Sequence, residues 1–380
     1  MSRIDRRLLG NFDWTLFAFT VLIPAVGLLV LYSAGYDAES SVAFFKWLNI
    51  NFHSLACAKQ ALYFAVGLVA MIIGMVIPTS WLQRYCLIIY AAALLALIMV
   101  AGFGVVVNGS RRWLALGSFK LQPAEFMKLG LLITMARVLA KSPPKKDSRY
   151  GALELIIPAI WIVIPMALIM QQPDLGTALS LGLVGAGQIL FVGVRPKVII
   201  GLILTFCLLA YPAWNSLHQY QQRRIMVLLD PESDPRGSGY HITQSKIAVG
   251  SGELFGKGFQ RGTQTQLEFL PEHTTDFVFS VLAEEWGFVG CTFVLGLFFC
   301  LIALMLRVAY RARDLFSCLL VIGITTQVFA HLVINIGMVI GLMPVVGIPL
   351  PLISYGGSSV LSLMFGLGIV QGVSMRRNVF

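Results

Sequence analysis

The chain has 380 residues, of which 57% are hydrophobic and 12% charged, about half the charged share of an ordinary soluble domain. Too few polar residues remain to cover a water-exposed surface, which excludes a cytosolic globular enzyme, a disordered chain and a small disulfide scaffold. The net charge of +10 brings no nucleic-acid-binding motif with it, and no nucleic-acid partner is expected: the basic residues mostly flank apolar runs, as topology signals and lipid-headgroup contacts do.

Those runs are long and continuous, not short and alternating. The fold class is therefore an all-α polytopic integral membrane protein and not a transmembrane barrel. The start, MSRIDRRLLGNFDWTLFAF, is basic and then apolar for a spanning length, without a small-residue cleavage site, so it reads as a retained first helix. About ten spans follow from the pattern, at roughly 14–33, 59–77, 82–104, 123–140, 153–170, 175–193, 198–213, 276–306, 315–341 and 356–374. The fifth and sixth are joined only by QQPD and predict a tight helical hairpin; the eighth is long enough to tilt or protrude. Residues 1–380 read as a single membrane domain with no internal repeat.

Lys and Arg near the span ends set the orientation. One side collects Arg3, Arg6, Arg7, Arg84, Lys141, Lys145, Lys146, Arg149, Arg195, Lys197, Arg307, Arg311, Arg313, Arg376 and Arg377, and the short loops opposite carry Lys46, Arg111, Arg112 and Lys120. Both termini are thus expected in the cytoplasm. The largest non-membrane piece, residues 214–275 before the eighth span, falls outside and reads as irregular, with a DPESDPRGSG turn cluster and a Gly-rich VGSGELFGKGFQRG. It holds Arg223, Arg224, Arg236, Lys246, Lys257 and Arg261 against Asp230, Glu232, Asp234, Glu253, Glu268 and Glu272. That is either a solvated, self-balanced loop or a site for an anion such as a diphosphate. The six cysteines are scattered without a CxxC pair, so neither a metal site nor a redox motif is supported.

Polar residues in or beside spans are functional candidates by default, and four clusters stand out. In NGSRRWLALGSFKLQPAEFMKLG, Pro123 suits the first turn of a helix, which sets Glu125 and Lys128 three apart on one face. They are a local ion pair or the lining of a polar cavity; Trp113, Arg111 and Arg112 are interfacial anchors or ligands. In QQPDLGTAL, Asp174 can cap the following helix or bring a carboxylate to a cavity mouth. In LPEHTTDFVFSVLAEEWGFVG, Asp276 stands where loop becomes helix, with Ser280 and Glu284 on the same helical face. Thr274 or Thr275 could cap that helix, leaving Asp276 or His273 as a general base. In QVFAHLVINIGMVIGLMPVVGIPLPLISYGGSS, Gln327, His331 and Asn335 form a polar stripe suited to interhelical hydrogen bonds. The Pro/Gly-rich stretch after it reads as a broken or re-entrant segment covered by protein or lining a cavity, with Ser354, Tyr355, Ser358 and Ser359 supplying hydroxyls.

Together these segments, with ITQSKIAVGSGELFGKGFQRGTQTQLEFLPEHTTDF, resemble the SEDS family (shape, elongation, division and sporulation) in the family's order over nearly the whole chain. FDWTL and VLAEEWGFVG are more similar to its elongation branch than to its division branch. The resemblance implies a ten-helix fold in a bacterial cytoplasmic membrane and a peptidoglycan glycosyltransferase that polymerises lipid II. It also implies a class B penicillin-binding protein transpeptidase as partner. The family's essential loop Asp falls on Asp276, its early-motif Trp and Glu on Trp113 and Glu125, and the basic residue of that motif on Lys128. In one departure from the family's pattern, His273 comes one place early and Thr274 stands in its position, which favours Asp276 as the base.

The expected mechanism has Asp276 deprotonating a sugar hydroxyl of one lipid II. That oxygen displaces undecaprenyl diphosphate from the other chain with inversion, and Glu125 and Lys128 take part in catalysis. Charge developing on the diphosphate calls for cations: Lys128, Arg111, Arg112, Arg223, Arg224, Lys246 or a divalent cation, with Trp113 and Ser358 also on the substrate. The alternatives are a lipid II flippase or other transporter, which needs charges through both halves of the bilayer, and a non-catalytic scaffold, which needs no Asp276.

Overall fold

The computed structural model describes residues 10–36, 42–45, 50–107, 110–117, 119–141, 149–216, 219–234, 237–267, 269–270 and 272–376. It is built from helices. In chain order they are α1 (Trp14–Ala34), α2 (Leu55–Val76), α3 (Thr79–Phe103), α4 (Pro123–Lys141), α5 (Ile156–Gln171), α6 (Leu175–Val192) and α7 (Pro196–Ser216). After them come the short α8 (Gln219–Leu229), α9 (Ser238–Ser251) and α10 (Thr263–Gln266), then α11 (Val278–Tyr310), α12 (Leu315–Val339) and α13 (Gly357–Arg376). Among the described residues, eight helices are long and apolar enough to cross a membrane: α1, α2, α3, α5, α6, α11, α12 and α13. α4 falls outside that set because it carries Glu125, Lys128, Arg137 and Lys141, and α7 contributes only a shorter apolar stretch.

Local chemistry starts these helices where the apolar runs begin. Asp13, Ser54, Asp174 and Asp314 each cap a helix by accepting a backbone N–H three residues on, at 3.0–3.2 Å, and Pro123 and Pro196 open α4 and α7. α5 and α6 form the expected hairpin across Gln172, Pro173 and Asp174. α4, α12 and α13 are the most buried helices of the bundle, and α6 packs on α4 and α12. There the buried Gln188 donates to Leu132 O at 3.0 Å and to Leu319 O at 2.9 Å, tying α4, α6 and α12 together. α13 packs against α2 at backbone distance, where a Cβ at Gly368 would meet Met71 O. Small residues at such a seam let helices associate without a hydrophobic drive.

Two small antiparallel sheets edge one end. β1 (Val42–Phe45) pairs with β2 (Ile50–Phe52), and β3 (Val105–Val107), β4 (Ser110–Leu116) and β5 (Phe119–Leu121) form a meander in which Val105 opposes Trp113 and Leu114 opposes Leu121. Residues 214–275, read from sequence as irregular, are instead largely helical, with α8, α9 and α10 in them. Their apolar positions are too few and too interrupted by Gly and Pro to show a helical period.

α11 is broken within its length. Gly287 leaves helical geometry at φ 64, ψ −163, so residues 278–286 form a stub ahead of the long helix. A break strands backbone groups that must find partners. The Gly-rich segment 253–258 supplies them: Phe288 N and Val289 N donate to Glu253 O and Leu254 O at 2.9 and 3.0 Å, and Glu284 O and Glu285 O accept from Lys257 N and Gly258 N at 2.9 and 3.0 Å. Any side chain at residue 287 would collide with Gly256 N, so the splint fits only glycine there. Three side-chain contacts fasten it. Lys257 Nζ lies 2.7 Å from Glu284 Oε1, Ser33 Oγ donates to Glu285 Oε1 at 2.6 Å, and Ser245 Oγ lies 2.8 Å from Ser280 Oγ.

Candidate functional site

A turn over residues 272–277 delivers Asp276 just before the stub, closed by Thr275 N and Phe277 N donating to Glu272 O. No side chain caps α11, and Thr275 Oγ1 bonds Glu272 instead. Asp276 therefore precedes the helix and does not share a helical face with Ser280 and Glu284. Its backbone is fixed from a second direction. The buried Asn335 of α12 donates Nδ2 to Asp276 O at 2.9 Å and to Ile348 O at 2.8 Å, pinning the turn to the non-helical segment after α12. That segment is the covered, broken stretch expected: Gly347, at φ 73, sets bare backbone beside Asp276 Oδ2, and Tyr355 N donates to Thr274 O at 2.9 Å.

Asp276 opens on a cavity of about 390 Å³. α8 contributes Arg223 and Arg224, the start of α9 contributes Gly237 and His241, the turn contributes Glu272, Asp276 and Phe277, and the broken segment contributes Val345. Burial pushes the Asp276 carboxyl up to about 6, with Glu272 and Asp174 adding to the rise and Arg224 and Arg112 opposing it. A carboxylate tuned towards neutrality suits general-base work. Arg223 also pairs with Asp234 at 3.0 Å. Among the described residues no group of three or more His, Cys, Asp or Glu is placed to hold a metal ion; the cations that line the cavity are the two arginines.

Of the residues singled out in the sequence, the structure thus brings Asp276, Arg223 and Arg224 together. Arg112 and Asp174 stand close enough to act on the Asp276 carboxyl without lining the cavity, and the others sit elsewhere. Lys128 is fully buried and Glu125 nearly so. Lys128 Nζ lies 2.7 Å from Glu125 Oε1 and 3.2 Å from His331 Nε2, and Ser362 Oγ donates to Glu125 Oε2 at 3.3 Å. Theirs is a closed network between α4, α12 and α13, apart from the cavity. Arg112 donates to Gln172 O and Pro173 O and lies 3.5 Å from Asp174 Oδ2, which latches β4 to the α5–α6 hairpin. Arg111 donates to Ala101 O at 3.2 Å. Ser358 is buried and accepts from Gln122 N at 3.0 Å. Trp113 is half-buried in β4, and Lys246 is exposed with its stem against Gly341. His273, the rival base, turns Nδ1 to Leu270 O at 2.8 Å and does not line the cavity.

Sequence reasoning missed His241. It lies inside the segment GYHITQSK, but nothing in its spacing to Arg223 or Asp276 marks it, because α8, α9 and the turn meet only in three dimensions.

The whole chain is similar to known proteins. A family model covering FtsW, RodA and SpoVE, described as "Cell cycle protein", matches residues 13–379. The peptidoglycan glycosyltransferase MrdB of Escherichia coli K12 is 42% identical over 318 residues, covering 83% of this chain and 84% of that one. Stage V sporulation protein E of Bacillus subtilis is 38% identical over 371 residues, covering 95% and 96%. Among solved structures, one described as "Structural coordination of polymerization and crosslinking by a peptidoglycan synthase complex" contains a chain with a TM-score of 0.81 at 30% identity, covering 97% of this chain and 98% of that one. The crystal structure of the rod shape determining protein RodA of Thermus thermophilus gives 0.69 at 29% identity, with the same coverage.

Proposed function

The chain belongs to the FtsW/RodA/SpoVE family, and on that premise we propose that it is a peptidoglycan glycosyltransferase of cell elongation, polymerising lipid II at the outer face of the bacterial inner membrane. The observation that carries the mechanism is the pairing, in one cavity, of a carboxylate tuned to about 6 with Arg223 and Arg224.

Asp276 accepts the proton of an attacking sugar hydroxyl from one lipid-linked chain. The oxygen forms its bond to the anomeric carbon of the second chain as the bond from that carbon to the diphosphate breaks, and undecaprenyl diphosphate leaves with the electron pair. A single displacement inverts the anomeric centre. The leaving group is already activated, so no protein nucleophile is required; what helps is positive charge where charge develops, and the arginines stand there. Glu125 and Lys128 act from behind the cavity, holding α4 against α12.

Similarity to a chain from a complex described as coordinating polymerization and crosslinking supports a class B penicillin-binding protein as the partner that crosslinks the strand. α4 and α7 serve as two further spans, making ten, with both termini in the cytoplasm; the basic side bias supports this, and thiol labelling of Ser233→Cys from the outer side checks it.

A flippase would need a polar path through the bilayer. The deeper charges, Glu125 and Lys128, are instead paired with each other and closed to solvent. The test is purified protein with lipid II, the products resolved as glycan strands on a gel. The wild-type protein is expected to make polymer and Asp276→Asn, nearly isosteric but unable to act as a base, none at equal amounts of folded protein. Polymer from Asp276→Asn would remove the base assignment, and an inactive wild type the enzyme reading.

A further inference from the structure

The Gly-rich splint against α11 carries an exposed apolar tip. Residues 252–256 form a turn closed by Gly256 N donating to Gly252 O at 2.8 Å, with left-handed backbone at Glu253 (φ 46) and Gly256 (φ 77). At the tip stand Leu254 and Phe255, 62% and 79% exposed. The turn is anchored, since Glu253 O and Leu254 O accept from Phe288 N and Val289 N. A left-handed glutamate is strained and persists only where its surroundings impose it. Two large apolar side chains held outward by such a turn form an interaction surface.

The surroundings identify the partner. The backbone bonds set the tip beside Phe288 and Val289, themselves 66% and 51% exposed, so one apolar surface runs from the tip onto the long part of α11. Residues 289–306 contain no Asp, Glu, Lys or Arg. From Phe288 to Arg307 the helix rises about 28 Å, close to the ~30 Å of a hydrocarbon core. α1 runs beside it and is tied to it at both ends: Asp13 pairs with Arg307 at 2.6 Å, and Ser33 bonds Glu285 at 2.6 Å. With Arg307 at the inner boundary, Phe288 and the tip fall at the outer one. Aromatic residues that favour that level gather there. Trp286 is partly exposed, and Tyr32 stacks on Phe259 with ring centroids 6.5 Å apart. Glu253 and Arg261, both exposed, flank the tip with charges that can reach headgroups and water.

Resting on the membrane orientation proposed above, we infer that the Leu254–Phe255 tip is seated in the outer leaflet of the bilayer, its side chains among the upper acyl chains. The partner of this surface is lipid, and its apolar area continues the lipid-facing side of α11. The lipid contact therefore lies on the same segment whose backbone completes the break at Gly287.

The experiment places full-length Leu254→Trp and Phe255→Trp, each checked for the wild-type thermal midpoint, in vesicles of phosphatidylethanolamine and phosphatidylglycerol. The acyl chains carry bromine either near the carbonyl end or near the methyl end. Wild-type protein in the same vesicles subtracts the seven native tryptophans. The added tryptophan is expected to lose fluorescence to bromine, more to the shallow position than to the deep one, and to be shielded from iodide in the water. Iodide quenching without bromine quenching in both variants overturns the inference, because the tip then faces water. If a class B penicillin-binding protein added to those vesicles abolishes the iodide quenching, the tip docks protein and lipid is not its partner. Stronger quenching by the deep bromine overturns the placement at the boundary. No lipid II enters the measurement, so an inactive polymerase leaves its result unchanged. Labelling of Ser233→Cys from the inner side alone would instead overturn the orientation, and the outer-leaflet seat with it.

Discussion

Asn335 is the residue whose loss should separate holding the site from holding the fold. Its side-chain amide donates to Asp276 O and to Ile348 O at 2.9 and 2.8 Å, and no charged group contributes to either bond. Asn335→Leu keeps the branching and the number of side-chain heavy atoms and deletes both donors. It also removes Oδ1, which is buried without a partner, so the apolar replacement strands no new side-chain atom. Each neutral hydrogen bond contributes about 1 kcal/mol net, so the two together give about 2 kcal/mol, or roughly thirtyfold in an equilibrium. If these bonds set where the Asp276 carboxylate stands, the loss falls on turnover, since a displacement of about 1 Å at a reacting group costs on the order of a hundredfold. The assay is polymer formation at saturating lipid II, normalised to folded protein, alongside the thermal midpoint. Turnover should drop at least about thirtyfold, by the same arithmetic. A lowered thermal midpoint with unchanged turnover per folded molecule would refute the reasoning and leave Asn335 as a structural clasp.

Because burial lifts the Asp276 pKa to about 6, the base is protonated and idle below that pH, and kcat/KM should climb with pH to a plateau above it. Glu272→Gln removes an influence that raises this pKa and should move the midpoint down; Arg224→Gln removes one that lowers it and should move the midpoint up; a pH–rate profile of each variant reads the shift. Lys257→Met leaves Glu284, fully buried and ion-paired at 2.7 Å, without its cation and should destabilise by about 3–5 kcal/mol, whereas Lys257→Met with Glu284→Gln should cost less; thermal midpoints decide. Glu125→Gln alone strands the buried Lys128 charge and should cost a similar ~3–5 kcal/mol, while Glu125→Gln with Lys128→Met should fold. Polymerisation by that double variant then shows whether the pair serves more than folding, full activity marking it as structural.

Eight of the spans were legible from an apolar run of membrane length, and local signals such as Pro123 at a first turn and Asp174 as a cap marked where helices begin. The span ends fall within a few residues of the helices observed. From the residues alone Asp276 was one of two candidate bases, and the family resemblance favoured it over His273; in the structure His273 turns its Nδ1 to Leu270 O within the loop. The cavity was not legible, since Arg223, His241 and Asp276 come from three elements with no shared period. Nor was the purpose of the Gly-rich stretch VGSGELFGKGFQRG. It read only as a Gly-rich part of an irregular outer loop. Its glycines are there because segment 253–258 must bring its backbone against residues 284–289, a pairing written in main-chain groups that no side-chain pattern records. The stripe Gln327, His331 and Asn335 was visible as a stripe, but its members divide: His331 meets Lys128, Asn335 holds the turn, and only the fold tells them apart.

The break at Gly287 makes the stub of α11 a lever. Residues 278–286 extend about 13 Å at the helical rise, with Asp276 beyond the far end, where Asn335 holds its backbone, and the long helix as the mounting. A swing of about 5° at the pivot would sweep the far end through about 1 Å over that length, enough to misplace a reacting carboxylate. Lys257, Ser33 and Ser245 act as stays against that swing, gripping Glu284, Glu285 and Ser280 at successive points along the arm. Whatever tightens or slackens one stay changes the aim of the carboxylate without touching the cavity. Ser33 ends the first helix and Ser245 rides on α9, so strain arriving from either direction is felt at the same carboxylate.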